Sequence, residues 1–131
     1  MDMPDFTPEE VVAKVAAGES LEQADLVGID LRGANLTKAN LSQANLSKAK
    51  LNGVNLRAAD LRRAVLSGAH LSQADLREAN LSKTHLIWTN LRGANLSGAN
   101  LHQAIYEDST ILPEGFDPEA AGMVLLIRNS P

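Results

Sequence analysis

An all-β repeat solenoid is the fold class this sequence predicts, and three observations predict it. Leucine stands at every fifth position from Leu21 to Leu101, seventeen times without exception. The residue two places before it is usually alanine, and the residue just before it is usually Asn or Asp. The third observation is the period itself, which excludes the ordinary elements. On an α-helix five residues advance a side chain by about 140° beyond a full turn, so the leucines would scatter around the cylinder. On a straight strand five is odd, and successive leucines would alternate faces. A short extended edge followed by a corner does bury all of them: Ala34 in, Asn35 out, Leu36 in, then Thr37 and Lys38 out as the chain turns toward Ala39. Each pentad is then one side of a polygon, and successive coils pair backbone to backbone.

The triplets ADL at 24–26, 59–61 and 74–76, and ANL at 34–36, 39–41, 44–46, 79–81, 94–96 and 99–101, carry a family likeness. The chain resembles the pentapeptide-repeat family, whose motif is A(D/N)LXX. The match covers sixteen full pentads, 24–103, with degenerate ones at 19–23, 104–108 and 109–113. The resemblance implies a right-handed quadrilateral β-helix with four pentads per coil, a number that periodicity alone leaves open. About four coils stacked at about 4.8 Å make a rod roughly 20 Å long.

The elements follow in chain order. Residues 1–23 form an N-terminal tail and cap: Thr7-Pro8-Glu9-Glu10 has the capping-box arrangement with proline at the first helical position. Val11, Val12, Val15 and Ala16 supply an apolar stripe and Gly18 a stop, so a helix over 8–17 is expected to cover the first coil. Residues 24–108 form the β-helix, with leucine and alanine filling its interior. Residues 109–131 form a second, partly helical cap. From the last pentads on, Tyr106 and Ile111 take over leucine positions, Asp117-Pro118-Glu119 reads as a helix start, and 120–127 offers an apolar surface to close the far end. The tail from Tyr106 to Gly122 also resembles the segment that follows the repeats in many cyanobacterial and plastid members of the family.

Composition bounds the function. At 131 residues, 44% hydrophobic and 3% aromatic, the chain holds one core built of small and branched side chains. It has no cysteine, which excludes a disulfide framework and thiolate chemistry. The N-terminal MDMPDF is acidic and lacks an apolar stretch, so no targeting segment is read, and a soluble, by default cytoplasmic, protein is expected. A thylakoid-lumen location would follow had a leader been removed. The longest apolar run, Met123 to Ile127, is too short to span a bilayer.

The net charge of −4 is unevenly placed: residues 1–23 carry −5, 24–108 carry +3 and 109–131 carry −2. The best-known activity in the family is regulation of DNA gyrase by strongly acidic, DNA-like rods. Mimicry of a polyanion needs regularly spaced acid along the shaft, whereas this shaft has ten Lys or Arg against seven Asp or Glu. A topoisomerase regulator is therefore the disfavoured alternative.

Two surfaces stand out. Folded on the family's twenty-residue coil, one pair of adjoining faces collects Lys38, Arg57, Arg62, Arg63, Arg77 and Lys83. A solvated surface interleaved with Asp60, Asp75 and Glu78 explains it, and an anionic partner is the sharper reading. Nucleic acid is disfavoured, because no aromatics alternate with the basic residues. The second surface is the outward pair Ile87-Trp88, the most apolar on the shaft, with Val65 one coil before and Ile105 one coil after. It offers a partner or dimer site, unless the tail with Phe116 and Met123 folds over it. Monomer and homodimer both stay open.

Catalysis finds no constellation. His70, His85 and His102 fall at separate outward positions, no ligand set has zinc spacing, and a leucine-filled shaft has no substrate cavity. No cofactor is implied. The sequence thus reads as a non-enzymatic scaffold presenting a repeat surface to an unidentified protein partner.

Overall fold

A computed structural model describes residues 3–127. Single backbone bridges join residues twenty apart in parallel: Asp25 to Asn45, Asp30 to Lys50, Asn35 to Asn55 and Asn40 to Asp60, and onward through the shaft. Four pentads therefore make one coil, and the residues before the leucines form four outward columns. The first column runs Asp25, Asn45, Val65, His85, Ile105; the fourth runs Asn40, Asp60, Asn80, Asn100.

The inner pentads repeat one bonding scheme. The Asn45 N–H donates to the Ala24 carbonyl of the coil before at 2.9 Å, and the Leu46 N–H to the Val65 carbonyl of the coil after at 2.7 Å. The Lys48 N–H reaches the Ser67 carbonyl at 2.9 Å, and the Ala49 N–H closes the corner on the Leu46 carbonyl at 3.0 Å. That corner needs left-handed backbone at its second residue. All seventeen residues two places after a ladder leucine, from Gln23 to Gln103, have φ between 58° and 73°, eleven of them with side chains larger than hydrogen. From Gln23 to Lys83 the N–H of each such residue makes a coil-to-coil bond that holds the conformation, and no β-branched residue, which φ > 0 tolerates worst, occupies the position.

The Asn or Asp of the motif has its own task. In each of the twelve pentads from Asp25 to Asn100 that carry one, the side-chain Oδ1 accepts from the backbone N–H two residues on, as Thr37 N–H to Asn35 at 3.2 Å. This Asx turn satisfies the first corner N–H, which no coil-to-coil bond uses.

The interior is a column of leucine and alanine, with Leu26, Leu36, Leu56, Leu61, Leu66, Leu71, Leu76 and Leu86 wholly buried. Thr84 and Thr89 take two alanine positions and are also fully buried. Their hydroxyls donate to the Leu81 and Leu66 carbonyls at 2.8 and 2.7 Å, so neither leaves a polar group unsatisfied.

At the first end lies helix α1, Pro8–Ala16. Thr7 accepts from the Glu10 N–H, and the Glu10 carboxylate accepts from the Thr7 N–H at 2.9 Å, completing the capping box. Val11 joins the core, with Phe6 and Val15 packed against it. Ahead of the helix, Asp5 binds the first strand position twice: its N–H donates to the Asp25 carbonyl at 2.7 Å and its carboxylate accepts the Asp25 N–H at 2.8 Å.

The far end departs from the sequence reading in two ways. Ile111 is not a leucine substitute. It pairs with Asn90, twenty-one residues away, because the corner at 107–110 holds one extra residue, and it lies 48% exposed while Leu112 turns inward. The terminal segment also makes no helix among the described residues. Asp117 accepts from the N–H groups of Glu119 and Ala120 as a helix cap would, but Gly122 at φ 78° ends the turn at once. The chain then extends into β2, Val124–Leu125, parallel to β1, Ile105–Tyr106. Only Met123 is buried there, and residues 124–127 are exposed rather than folded over the end.

Candidate interaction surface

The extra corner residue shapes the surface around Trp88. In a regular pentad the Trp88 N–H would meet the carbonyl of the next coil; here it donates to Ser109 Oγ at 3.3 Å. Ser109 Oγ in turn donates to Glu107 at 2.7 Å, while Thr110 Oγ1 donates to the Leu86 carbonyl and accepts the Glu107 N–H. The corner is thus held by hydroxyls where backbone bonds run elsewhere. Register then places residues 126–127 over the same corner one layer further on, since Val124 stands on Ile105 and Leu125 on Tyr106. The result is an open hollow of about 310 Å³ lined by Trp88, residues 107–109 and residues 125–127.

Trp88 is 65% exposed and Ile127 74% exposed, with Val124, Leu125 and Leu126 each more than two-fifths exposed. Among the described residues the tail therefore does not cover the indole. Phe116 packs against the core from the end of the shaft and Met123 is buried, while the residues after Met123 widen the apolar surface. Val65 and Ile105 share the first column, but exposed His85 stands between them and both are half-buried. Ile87, beside Trp88 at the corner, is also half-buried. The apolar surface thus runs from Trp88 toward the C-terminal end, not back along the shaft to Val65. Leu125, Leu126 and Ile127 were missed as surface residues because their unbroken apolarity reads as an end cap. The signal available in the sequence was Gly122, which allows the chain to leave the turn.

The basic faces are present but partly neutralised. Arg62 forms a bidentate pair with Asp60, Nε to Oδ1 at 2.9 Å and Nη2 to Oδ2 at 2.7 Å, and Arg77 forms the same pair with Asp75. Arg32 and Asp30 repeat it on another side. The guanidinium of Arg77 holds the Asp75 carboxyl down to about 2, and Arg32 does the same to Asp30. The sequence hides these pairs: the Asx turn brings the residue after the leucine back over the carboxylate, so D-L-R is a local clamp. Arg57 lies 3.7 Å from Glu78. Lys38, Arg63 and Lys83 have no ion pair among the described residues and carry the positive charge of this region outward.

Among the described residues no group of His, Asp or Glu is arranged to hold a metal ion, and no helix is long and apolar enough to cross a membrane. The three histidines lie in different columns or corners, all exposed.

Comparison with known proteins agrees with the bonding scheme. The model of pentapeptide repeats matches eight copies, over residues 20–53, 39–78, 54–93 and 69–105. The chain is similar to alr5209, a pentapeptide repeat protein from Nostoc Pcc 7120, at 38% identity over 95% of this chain and 100% of that one, with a TM-score of 0.51. It is similar to AT2G44920, a pentapeptide repeat protein from the Arabidopsis thaliana thylakoid lumen, at 32% identity over 79% of this chain and 72% of that one, TM-score 0.60. HetL of Nostoc sp. strain PCC 7120, a pentapeptide repeat protein involved in heterocyst differentiation regulation, is 33% identical over 78% of this chain and 53% of its own length, TM-score 0.60. A search of curated protein sequences gave no match. A twenty-residue coil built from A(D/N)LXX units, matched by the family's repeat model over most of the chain, places this protein in the pentapeptide repeat family.

Proposed function

We propose that the protein is a non-enzymatic scaffold: a right-handed quadrilateral β-helix of about four coils that presents a surface to a protein partner. The observation that carries this reading is Trp88, 65% exposed on an otherwise polar shaft and continuous with the exposed Leu125, Leu126 and Ile127. Large aromatic side chains left in water on a rigid frame are the residues that anchor protein interfaces, and the solenoid holds this one without further ordering cost. A filled leucine column and dispersed histidines argue against catalysis. The alternative, a DNA-like regulator of a topoisomerase, is opposed by the positive balance of the shaft and by its clamped carboxylates, three of which face their own arginines.

Affinity capture from the native host extract tests the reading. Wild-type protein is expected to retain a partner that Trp88→Ala loses and that Arg62→Ala/Arg63→Ala retains less well. Identical captured proteins with all three baits would overturn both surfaces.

A further inference from the structure

β2 is an edge strand with a defined open side. The N–H groups of Val124 and Leu126 donate to the Ala104 and Tyr106 carbonyls at 2.8 and 2.7 Å, so these alternate residues point toward β1. Parallel pairing then turns the N–H and C=O of Leu125 away from β1, and β2 has no second neighbour among the described residues. A short apolar strand with a free edge is a site where an extended chain can add itself. The neighbouring hollow, about 310 Å³, has room for a side chain or two and not for a folded element. It is lined by Trp88 and by exposed Asp108 beside Glu107, with no Lys or Arg among the described residues that line it. Glu107 is buried and bonded by Ser109, so Asp108 presents the charge. An acid and an indole lining one hollow favour a cation, which gains from both.

From this we infer that the Leu125 edge and the Trp88 hollow together dock an extended peptide segment bearing a basic side chain, the backbone pairing with Leu125 and the cation lying between Trp88 and Asp108. The inference rests on the scaffold reading and names the partner's chemistry. A second copy of the chain fits less well, because pairing two such edges about a twofold axis would set the acidic rims, and tails that carry Glu114, Asp117 and Glu119, against each other.

Trp88 is the only tryptophan of the chain, so its emission reports the site directly. The probes are acetyl-Val-Lys-Val-Lys-Val-amide, the same peptide with glutamate for lysine, and the lysine peptide N-methylated at every residue, which offers no backbone N–H on either edge. The lysine peptide is expected to change the emission saturably with Kd near or below about 1 mM. The other two are expected to bind at least about tenfold more weakly, and Asp108→Asn is expected to weaken the lysine peptide about threefold or more. Equal binding of the glutamate or N-methylated peptide overturns the inference, as does the absence of saturation. Wild-type dimerisation in sedimentation that Asp108→Asn strengthens would assign the edge to a second copy and overturn it too. Trp88-dependent capture from extract together with failure of the lysine peptide would remove this occupant and leave the scaffold standing.

Discussion

Single residues in this fold act either on the column or on the corner, and their substitutions separate the two. Leu61 is wholly buried with coils on both sides. Leu61→Ala should cost about 2–5 kcal/mol, because neighbours locked into coil-to-coil bonds cannot collapse into the space, and Leu61→Lys should prevent folding. Urea melts check both. At the corner, the Arg77 bond to Asp75 holds that carboxyl down to about 2, below its ordinary range. A depressed carboxylate adds stability that is complete above the ordinary carboxylate value and is lost as pH falls toward 2. Acid titration of the melting temperature should therefore show a loss between about pH 4 and 2 that is smaller in Asp75→Asn. The asparagine keeps the Oδ1 that accepts the Arg77 N–H, so the variant should match wild type near neutrality more closely than Asp75→Ala does. The motif's tolerance of either Asn or Asp was visible in the sequence; that Asp followed by L-R makes a clamp was not, because it depends on the geometry of the turn.

Elements differ in how far the sequence announces them. Helix α1 was legible nearly to the residue, since Thr7, Pro8 and Glu10 each satisfy a terminal N–H or remove one, and these are local effects. Thr7→Ala should lower stability by about 0.5–2 kcal/mol, seen as a lower melting temperature, with Thr7→Ser close to wild type. The C-terminal segment was misread for the opposite reason. Asp117 does open a helical turn, but whether the turn continues is decided by the competition between local bonds and the open edge of β1 beyond Gly122. Periodicity cannot show that competition, because Met123, Val124 and Leu125 look like one apolar run although only Met123 is buried and Val124 and Leu125 stay exposed on Ile105 and Tyr106. The extra residue at 107–110 escaped for a similar reason: Tyr106 and Ile111 keep the five-residue spacing, and only the pairing of Ile111 with Asn90 shows that the phase has moved. Both irregularities lie beside Trp88, so the part of the candidate surface hardest to read was the part that the broken repeat creates.

At the scale of the whole molecule each coil touches only the coils before and after it, as the twenty-residue bridges require. Length is then a free variable, and a whole coil should be removable. Deleting residues 49–68 joins Lys48 to Ala69 in phase, since His70 then occupies the column position of Lys50, and every outward column keeps its order. The chain has no cysteine, so Asp25→Cys and Ile105→Cys take spin labels uniquely. These positions end a column of four bridge steps, about 19 Å at about 4.8 Å per step, and the deletion should shorten their separation by about one step while unfolding stays cooperative. Deleting only residues 49–53 should also fold, but it advances everything after it by one side of the polygon. The labels then leave their shared column, and Trp88 turns by a quarter turn relative to α1. A whole-coil deletion that fails to fold, or that leaves the label distance unchanged, would contradict the additive solenoid. A partner that binds the twenty-residue deletion and not the five-residue one would show that it reads the N-terminal end, before residue 49, and the Trp88 surface together.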